Sequence, residues 1–134
     1  MAIVQRKNGT FGIYNEAGYQ VEASFTAGST GLNPKELLES SLGLCTTIVI
    51  QRMLERDGIE LDENDPFSVE VKTIKAADRP SRFEECIVQV SLPDHLPEAY
   101  KNKLIKSAEK ACTIGNTLKQ GLKITQSGDC PLPS

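Results

Sequence analysis

A long run in the first half of the chain is apolar on almost every side when it is wound into a helix. Asn33 suits the N-cap, Pro34 the first helical position and Glu36 the third position of a capping box. Gly58 is placed to end the helix just beyond its C-cap. Apolar side chains occupy positions 37, 38, 42, 44, 45, 48, 49, 50, 53 and 54. A helix that is apolar all round is a buried helix, so this one needs cover on every side.

Alternating runs on both sides of this helix predict the strands that would cover it. The runs are 2–7, 10–14 and 19–24 before the helix, and 67–75 and 82–92 after it. Asn8-Gly9 between the first two runs is the signal of a tight β-hairpin, which predicts an antiparallel meander. One face of the fifth run carries Cys86, Val88, Val90 and Leu92. Because its neighbours on this face are aliphatic, Cys86 is expected to fill the core.

The last third of the chain predicts a second helix, a short helix and a final strand. The second helix covers about 97–112, and its apolar stripe consists of Leu104, Ala108, Ala111 and Cys112. A short helix follows and ends at Gly121, and 122–127 reads as a strand. The order β-β-β-α-β-β-α-β indicates an α+β fold with helices packed against antiparallel sheets.

The predicted elements leave the long helix short of cover. The 134 residues make one domain, and six short strands can barely enclose a helix that is apolar all round. An intertwined homodimer, in which the two central helices cover one another, would solve this problem. Residues 128–134, "GDCPLPS", are predicted to be a flexible tail.

Charge and composition argue against several classes of protein. The net charge is −3 and the chain has no tryptophan, so neither a basic surface nor a stacking platform for nucleic acid is expected. No apolar run approaches the roughly 20 residues of a membrane helix, and the first residues are too polar for a signal peptide. A cytoplasmic location without a membrane partner is therefore expected. The sequence has no glycine-rich phosphate loop and no C-x-x-C pair, so neither a metal nor another cofactor is expected.

Two of the four cysteines form a candidate pair. Cys45 and Cys112 each lie on the inward face of a predicted helix, whereas Cys130 lies in the tail. A single buried cysteine usually fills a core as a small hydrophobe. Two thiols in one core also suit a redox cycle, in which one sulfur is oxidised to a sulfenic acid and the second captures it as a disulfide. The pattern of residues leaves both interpretations open.

Two segments of the chain resemble the OsmC/Ohr family. "NPKELLESSLGLCTTI" (33–48) is similar to the first-helix motif N-P-x-E-L-L-x-x-x-L-G-x-C of that family. "SAEKACTIGNTLKQGLKIT" (107–125) is similar to its second-cysteine segment, and "RPSRF" (79–83) also fits. The resemblance implies an α+β homodimer whose chains wrap round each other, with active sites at the interface. It further implies that Cys45 is the peroxidatic cysteine and Cys112 the resolving cysteine, while Cys86 and Cys130 match nothing.

The chain departs from the Ohr-type pattern around its first cysteine. Ohr-type members have a glutamate ten residues before that cysteine and an arginine in the preceding loop. Here Lys35 takes the glutamate's position, Glu36 follows it, and the loop "FTAGSTGLNP" (25–34) has no arginine. A capping-box role is the simpler explanation of Glu36, which is also a candidate catalytic residue that could act on the thiol of a partner chain. The cations that could lower the pKa of Cys45 are Arg6, Lys7, Lys35 and Arg82.

The resemblance implies a thiol peroxidase that defends against oxidative stress. Its substrates would be organic hydroperoxides, because an apolar pocket around Cys45 would favour them, and possible further substrates are inorganic peroxides. An external thiol would reduce the Cys45–Cys112 disulfide. The alternative is a non-catalytic dimer of the same fold that binds a small apolar ligand or senses stress, with both cysteines structural.

Overall fold

The computed structural model describes residues 1–128 and shows an α+β fold with two antiparallel sheets and three helices. The strands are β1 (Ala2–Lys7), β2 (Thr10–Asn15), β3 (Gln20–Ala23), β4 (Ser68–Lys75) and β5 (Phe83–Ser91). The helices are α1 (Pro34–Arg56), α2 (Glu98–Ala111) and α3 (Thr113–Gln120). Of the predicted tail, 128–134, only Gly128 is among the described residues. Cys130 lies outside them.

The first sheet has the order β1-β2-β3 and is the predicted meander. Asn8 and Gly9 both have positive φ, 54° and 77°, as a tight turn between β1 and β2 requires. β1 and β2 pair from Ala2 with Asn15 through to Lys7 with Thr10. All six residues of β1 are exposed, so this sheet has no cover from the rest of the described chain on that strand.

Helix α1 begins and ends as its sequence predicts. The Asn33 side chain accepts from the backbone N–H of Glu36 at 2.8 Å, and the Glu36 carboxylate accepts from the N–H of Asn33 at 3.1 Å. This is a complete capping box. At the other end Gly58 has a φ of 72°, the left-handed conformation expected just after a helix.

The second sheet, β4 with β5, packs on α1. A Cβ on Gly43 would lie 3.3 Å from the Val71 side chain, so the small residue lets the helix approach β4 closely. Cys86 of β5 pairs with Thr73 of β4. The core lies at the C-terminal half of α1, where it meets α2 and the chain between β5 and α2. Its buried members are Ile50, Met53, Leu54, Leu92, Leu96, Leu104 and Ala108.

Part of the predicted core is open in the single chain. Leu44 and Ile48 of α1 are 61% and 40% exposed, and Ala111 of α2 is exposed too. The expectation that Cys86 is buried was wrong for this chain: its side chain is exposed, because the helices leave a cavity in front of β5. Among residues 1–128, α1 is long and apolar enough to cross a membrane by length and composition; here it packs against β4, α2 and α3.

The predicted last strand is absent. Residues 122–127 have no regular secondary structure and are exposed. A strand needs a neighbouring edge to satisfy its backbone groups, and neither sheet of the described chain pairs with this segment. The last element among residues 1–128 is therefore α3, which ends where Gly121 takes a φ of 79°.

Candidate active site

Helices α1 and α2 bring the two predicted cysteines together. The helices run antiparallel, since Tyr100 at the start of α2 donates to Asp57 at the end of α1, at 2.6 Å. Near the other end of the pair, the Thr46 hydroxyl of α1 lies 3.9 Å from the Cys112 sulfur. The Cys112 thiol is also near enough to Cys45, the residue next to Thr46, to lower the pKa of the Cys45 thiol. Two sulfurs that are 67 positions apart in the sequence therefore share one site.

Cys112 joins two helices and caps the second. It is the C-cap of α2, where its N–H bonds to the Ala108 carbonyl, and the N-cap of α3. The Cys112 sulfur accepts from the backbone N–H of Gly115 at 3.3 Å, as the oxygen of a serine or threonine N-cap would. The residue is only 2% exposed, so the sulfur is held in one place.

Cys45 faces the N-terminal end of the same helix. The backbone N–H of Ile114 makes the largest contribution and lowers the pKa of the Cys45 thiol, whereas burial raises it. The Cys112 thiol, the N–H of Thr113 and the charge of Arg52 lower the pKa further, and the net direction is downward. The N–H groups of a helix start carry no helical partner and stabilise an anion such as a thiolate. The start of helix α3, rather than that of α1, is therefore the main source of the lowered pKa of Cys45.

The four cations predicted from the sequence do not serve Cys45 within this chain. Lys35 pairs with Glu39 at 2.9 Å, and Arg82 pairs with Asp78. The cation that acts on Cys45 is Arg52. It lies seven residues later in α1, two turns along the same side of the helix. That spacing was the signal in the sequence that could have found it.

Glu36 is occupied in the capping box at the start of α1. Its carboxylate accepts from the N–H of Asn33. Glu36 itself lies nine residues before Cys45, which is about 13 Å along the helix axis. Within one chain it does not reach the thiol. A role for Glu36 at a partner chain's thiol stays a prediction.

Glu39 is a second carboxylate of α1, and it is largely enclosed. Its side chain is 13% exposed and accepts from both the N–H and the hydroxyl of Thr73, at 2.9 and 2.8 Å. Hydrogen bonds and the charge of Lys35 lower its pKa, although burial opposes them as the largest single influence. Glu39 ties α1 to β4 and lies near Cys86, whose pKa is raised first by desolvation and then by the Glu39 charge.

A cavity of about 640 Å³ opens between β5 and the helices. Cys112 and Thr46 lie on its wall, and Cys86 also lines it. Most of the wall is apolar: Leu38, Leu42, Phe83, Val88, Val90, Ile105 and Leu118. Three glutamates also line it, namely Glu84, Glu85 and Glu109. A volume in this range suits a small organic molecule. Within residues 1–128 no three His, Cys, Asp or Glu side chains are grouped to hold a metal ion.

Comparison with known proteins identifies the family. The family model described as OsmC-like protein matches residues 26–127, which include both cysteines and all three helices. The chain belongs to this family. No curated protein matches it.

Solved structures with the same fold cover most of this OsmC-like chain. An OsmC-like protein from Mycoplasma pneumoniae is 14% identical with a TM-score of 0.75, over 89% of this chain and 86% of that one. An organic hydroperoxide resistance protein from Elizabethkingia anophelis is 16% identical with a TM-score of 0.67, over 89% and 88%. The organic hydroperoxide resistance protein OhrB of Bacillus subtilis is 19% identical with a TM-score of 0.62, over 89% and 90%. These likenesses confirm the predicted α+β fold with helices packed against antiparallel sheets.

The opposite pKa shifts of Cys45 and Cys86 predict that, in the OsmC-like chain, the less exposed of the two thiols is alkylated at the lower pH. Only the thiolate is alkylated, so the half-buried Cys45 should reach its half-maximal rate at a lower pH than the more exposed Cys86. The measurement is site-resolved alkylation by iodoacetamide in the reduced protein, followed by mass spectrometry between about pH 5 and 10. In the urea-unfolded control both sites should titrate together. A Cys86 midpoint at or below that of Cys45 would contradict the assignment of α3 as the activating element.

Proposed function

We propose that this OsmC-like protein is a thiol peroxidase that reduces organic hydroperoxides through a Cys45–Cys112 dithiol/disulfide cycle. The observation that carries the proposal is the meeting of two thiols at the N-terminal end of α3, where backbone N–H groups lower the pKa of Cys45. The family is shared with the matched structures, two of which are named as organic hydroperoxide resistance proteins.

In the first step the Cys45 thiolate attacks the terminal oxygen of the hydroperoxide. The O–O bond breaks, the alkoxide takes a proton and leaves as an alcohol, and Cys45 becomes a sulfenic acid. Ile114 and Thr113 supply the N–H groups that hold the thiolate before attack. Arg52 supplies a positive charge in place of the loop arginine that this chain lacks.

In the second step the Cys112 sulfur attacks the sulfenic sulfur of Cys45. A disulfide forms, and the hydroxide leaves as water with the proton of the Cys112 thiol. Because the two thiols are neighbours, the capture needs only a local movement of the side chains. Two equivalents of an external thiol then restore the dithiol and leave as their own disulfide. Such reductants are plentiful in the cytoplasm, which we propose as the location.

The working unit in this proposal is a homodimer. The chain exposes 10,519 Å², whereas a compact monomer of its mass exposes about 6,900 Å². The surplus includes large apolar side chains from two separate regions: Ile3 and Val4 of β1, and Leu44 and Ile48 of α1. A second copy that covers these surfaces would also enclose the neighbourhood of Cys45, which lies between Leu44 and Thr46 on α1.

The proposal is tested by the thiol state after a single dose of peroxide. One equivalent of cumene hydroperoxide added to the reduced protein should be consumed and should convert Cys45 and Cys112 into one disulfide, identified by peptide mass spectrometry. Cys86 should remain a thiol, which makes it an internal control, and the urea-unfolded protein should react far more slowly. Unconsumed peroxide with both thiols intact would contradict the proposal.

A second candidate function is favoured by the cavity in front of β5. Its apolar wall and 640 Å³ volume would suit a small apolar ligand held by a non-catalytic OsmC-like protein with structural cysteines. Ligand binding replaces peroxide reduction as the proposed function if one equivalent of peroxide leaves Cys45 and Cys112 reduced.

A further inference from the structure

One hydroxyl group of α1 is buried beside the sulfur of Cys112. Among residues 1–128 the buried polar side chains are Thr46 and Thr73. The hydroxyl of Thr73 bonds to Glu39 and so ties β4 to α1. The hydroxyl of Thr46 makes no such tie to a sheet and faces Cys112 instead. A valine of the same shape would fill this place without burying a polar group, so the hydroxyl calls for an explanation.

The Thr46 hydroxyl has two partners and a single hydrogen. Its oxygen lies 2.9 Å from the Leu42 carbonyl oxygen and 3.9 Å from the Cys112 sulfur. A hydroxyl group can rotate, and it offers one donor and two acceptor lone pairs. While Cys112 carries its proton, the hydroxyl donates to Leu42. When Cys112 is a thiolate, the hydroxyl can turn and donate to the sulfur, and the Leu42 carbonyl keeps the helical bond from the N–H four residues later.

The turned hydroxyl gives the Cys112 sulfur a second donor. The first is the backbone N–H of Gly115, which donates to the sulfur at 3.3 Å. This N–H belongs to the start of α3 and the hydroxyl belongs to α1, so the two donors reach the sulfur from different helices. A hydrogen bond to an ionised group is roughly twice as strong as one between neutral groups. The second donor therefore favours the thiolate of Cys112 over the thiol.

We propose that Thr46 takes part in the resolving step, with its hydroxyl donating to the Cys112 thiolate when this sulfur attacks Cys45 and again when it leaves. The inference rests on the proposed function, in which Cys112 is the resolving cysteine. During capture the S–S bond forms, the S–O bond of the sulfenic acid breaks, and water leaves with the Cys112 proton. When an external thiol attacks Cys45 of the disulfide, Cys112 departs as a thiolate, and the same hydroxyl stabilises it.

The test forms the disulfide without a peroxide, so that the inference and the proposed function can fail separately. The reagent is DTNB, an aromatic disulfide, and the protein is the full chain with Cys86 and Cys130 replaced by serine. Cys45 attacks the reagent and releases one coloured thiolate. Cys112 then attacks the sulfur of Cys45 in the mixed disulfide and releases the second. Stopped-flow absorbance resolves the two releases, of which the first reports on Cys45 and the second on Cys112.

Three variants assign the second release to the hydroxyl. Thr46→Val keeps the shape of the side chain and should slow the second release about tenfold near neutral pH, with the first release unchanged. Thr46→Ser keeps a hydroxyl and should restore the second release. Thr47→Val is the matched control, because the Thr47 hydroxyl bonds in the same way to the Gly43 carbonyl at 2.8 Å and, within residues 1–128, makes no bond to Cys112. It should close as fast as the wild type.

The pH dependence separates this role from a structural one. The loss in Thr46→Val should be largest at low pH and should shrink as the pH rises, because the hydroxyl matters least once Cys112 is ionised in both proteins. A packing defect would slow the second release by the same factor at every pH. The charged side chains that line the same cavity are unchanged in the variant, so their influence cancels in the comparison; they are Glu84, Glu85, Glu109 and Lys119.

Several outcomes would overturn the inference. They are a second release that is unchanged in Thr46→Val, one that is slowed equally in Thr46→Ser or Thr47→Val, and one that is slowed by the same factor at every pH. A wild-type protein that releases only one thiolate would also overturn it, since Cys112 would then not resolve Cys45. If cumene hydroperoxide leaves both thiols reduced while DTNB gives the expected pattern, the proposed function fails and the role of Thr46 in disulfide formation stands.

Discussion

Replacing Cys45 with serine is expected to abolish hydroperoxide consumption, with a loss of about a thousandfold or more. A serine hydroxyl stays protonated at neutral pH, so the N–H groups of Ile114 and Thr113 would face a neutral oxygen instead of a thiolate. The measurement is peroxide consumption with a saturating thiol reductant. Because Cys45 is only half-buried, the substitution should leave the fold intact, which circular dichroism would check.

Cys112→Ser is the informative companion of that variant. Serine is a favoured N-cap, so its hydroxyl can replace the sulfur that accepts from Gly115, and α3 should persist. Cys45 should then be oxidised by the first equivalent of peroxide and remain a sulfenic acid, which dimedone labels. Cys86→Ser is the matched control and should retain turnover. Full activity in Cys45→Ser would end the peroxidase proposal.

Introducing a charge on the uncovered face of α1 is expected to separate the proposed dimer. In Ile48→Glu a carboxylate replaces a side chain that is 40% exposed in the single chain and that the second copy would bury. An unpaired charge buried at an interface costs several kcal/mol, about enough to shift a micromolar dimer to monomer. Sedimentation at micromolar concentration should report twice the 14.6 kDa chain mass for the wild type and one chain mass for the variant.

Asn102→Glu provides the control for that experiment. It adds the same charge to an exposed position of α2 and should leave the mass of the assembly unchanged. A wild-type protein that sediments as a monomer would contradict the dimer outright. A dimer that survives Ile48→Glu would move the interface away from this face of α1.

The sequence predicts the helices and five strands well because their signals are local. The capping box at Asn33 and Glu36, the turn at Asn8-Gly9 and the glycine after each of two helices act within a few residues. The strand predicted over 122–127 depends instead on a distant edge with which to pair. Its alternating pattern shows what the segment could form, and neither sheet of the described chain pairs with it. The prediction that Cys86 is buried was wrong for a related reason, because its burial depends on which elements cover β5.

The sequence predicts the two cysteines of the candidate site, but it does not reveal the groups that lower the pKa of Cys45. Cys45 and Cys112 are visible as thiols on two inward faces, and the resemblance assigns their roles. The source of activation is hidden because cysteine is not among the usual N-cap residues, so the start of α3 does not stand out as the end of a helix facing Cys45. Arg52 was missed because the cations considered lie on the first strand, at the start of α1 and just before β5, and not two turns beyond Cys45 on α1.

In the proposed cycle, the sulfur cap of α3 would link the folding of that helix to the redox potential of the protein. A Cys112 sulfur that turns to bond Cys45 would give up the hydrogen bond that it now accepts from Gly115. Linkage is reciprocal, so a cap that stabilises α3 stabilises the dithiol over the disulfide by the same free energy. An N-cap contributes about 1 kcal/mol, which corresponds to roughly 20 mV for a two-electron couple. A residue such as Gly115, which never reacts, therefore helps to determine how readily the oxidised protein accepts electrons.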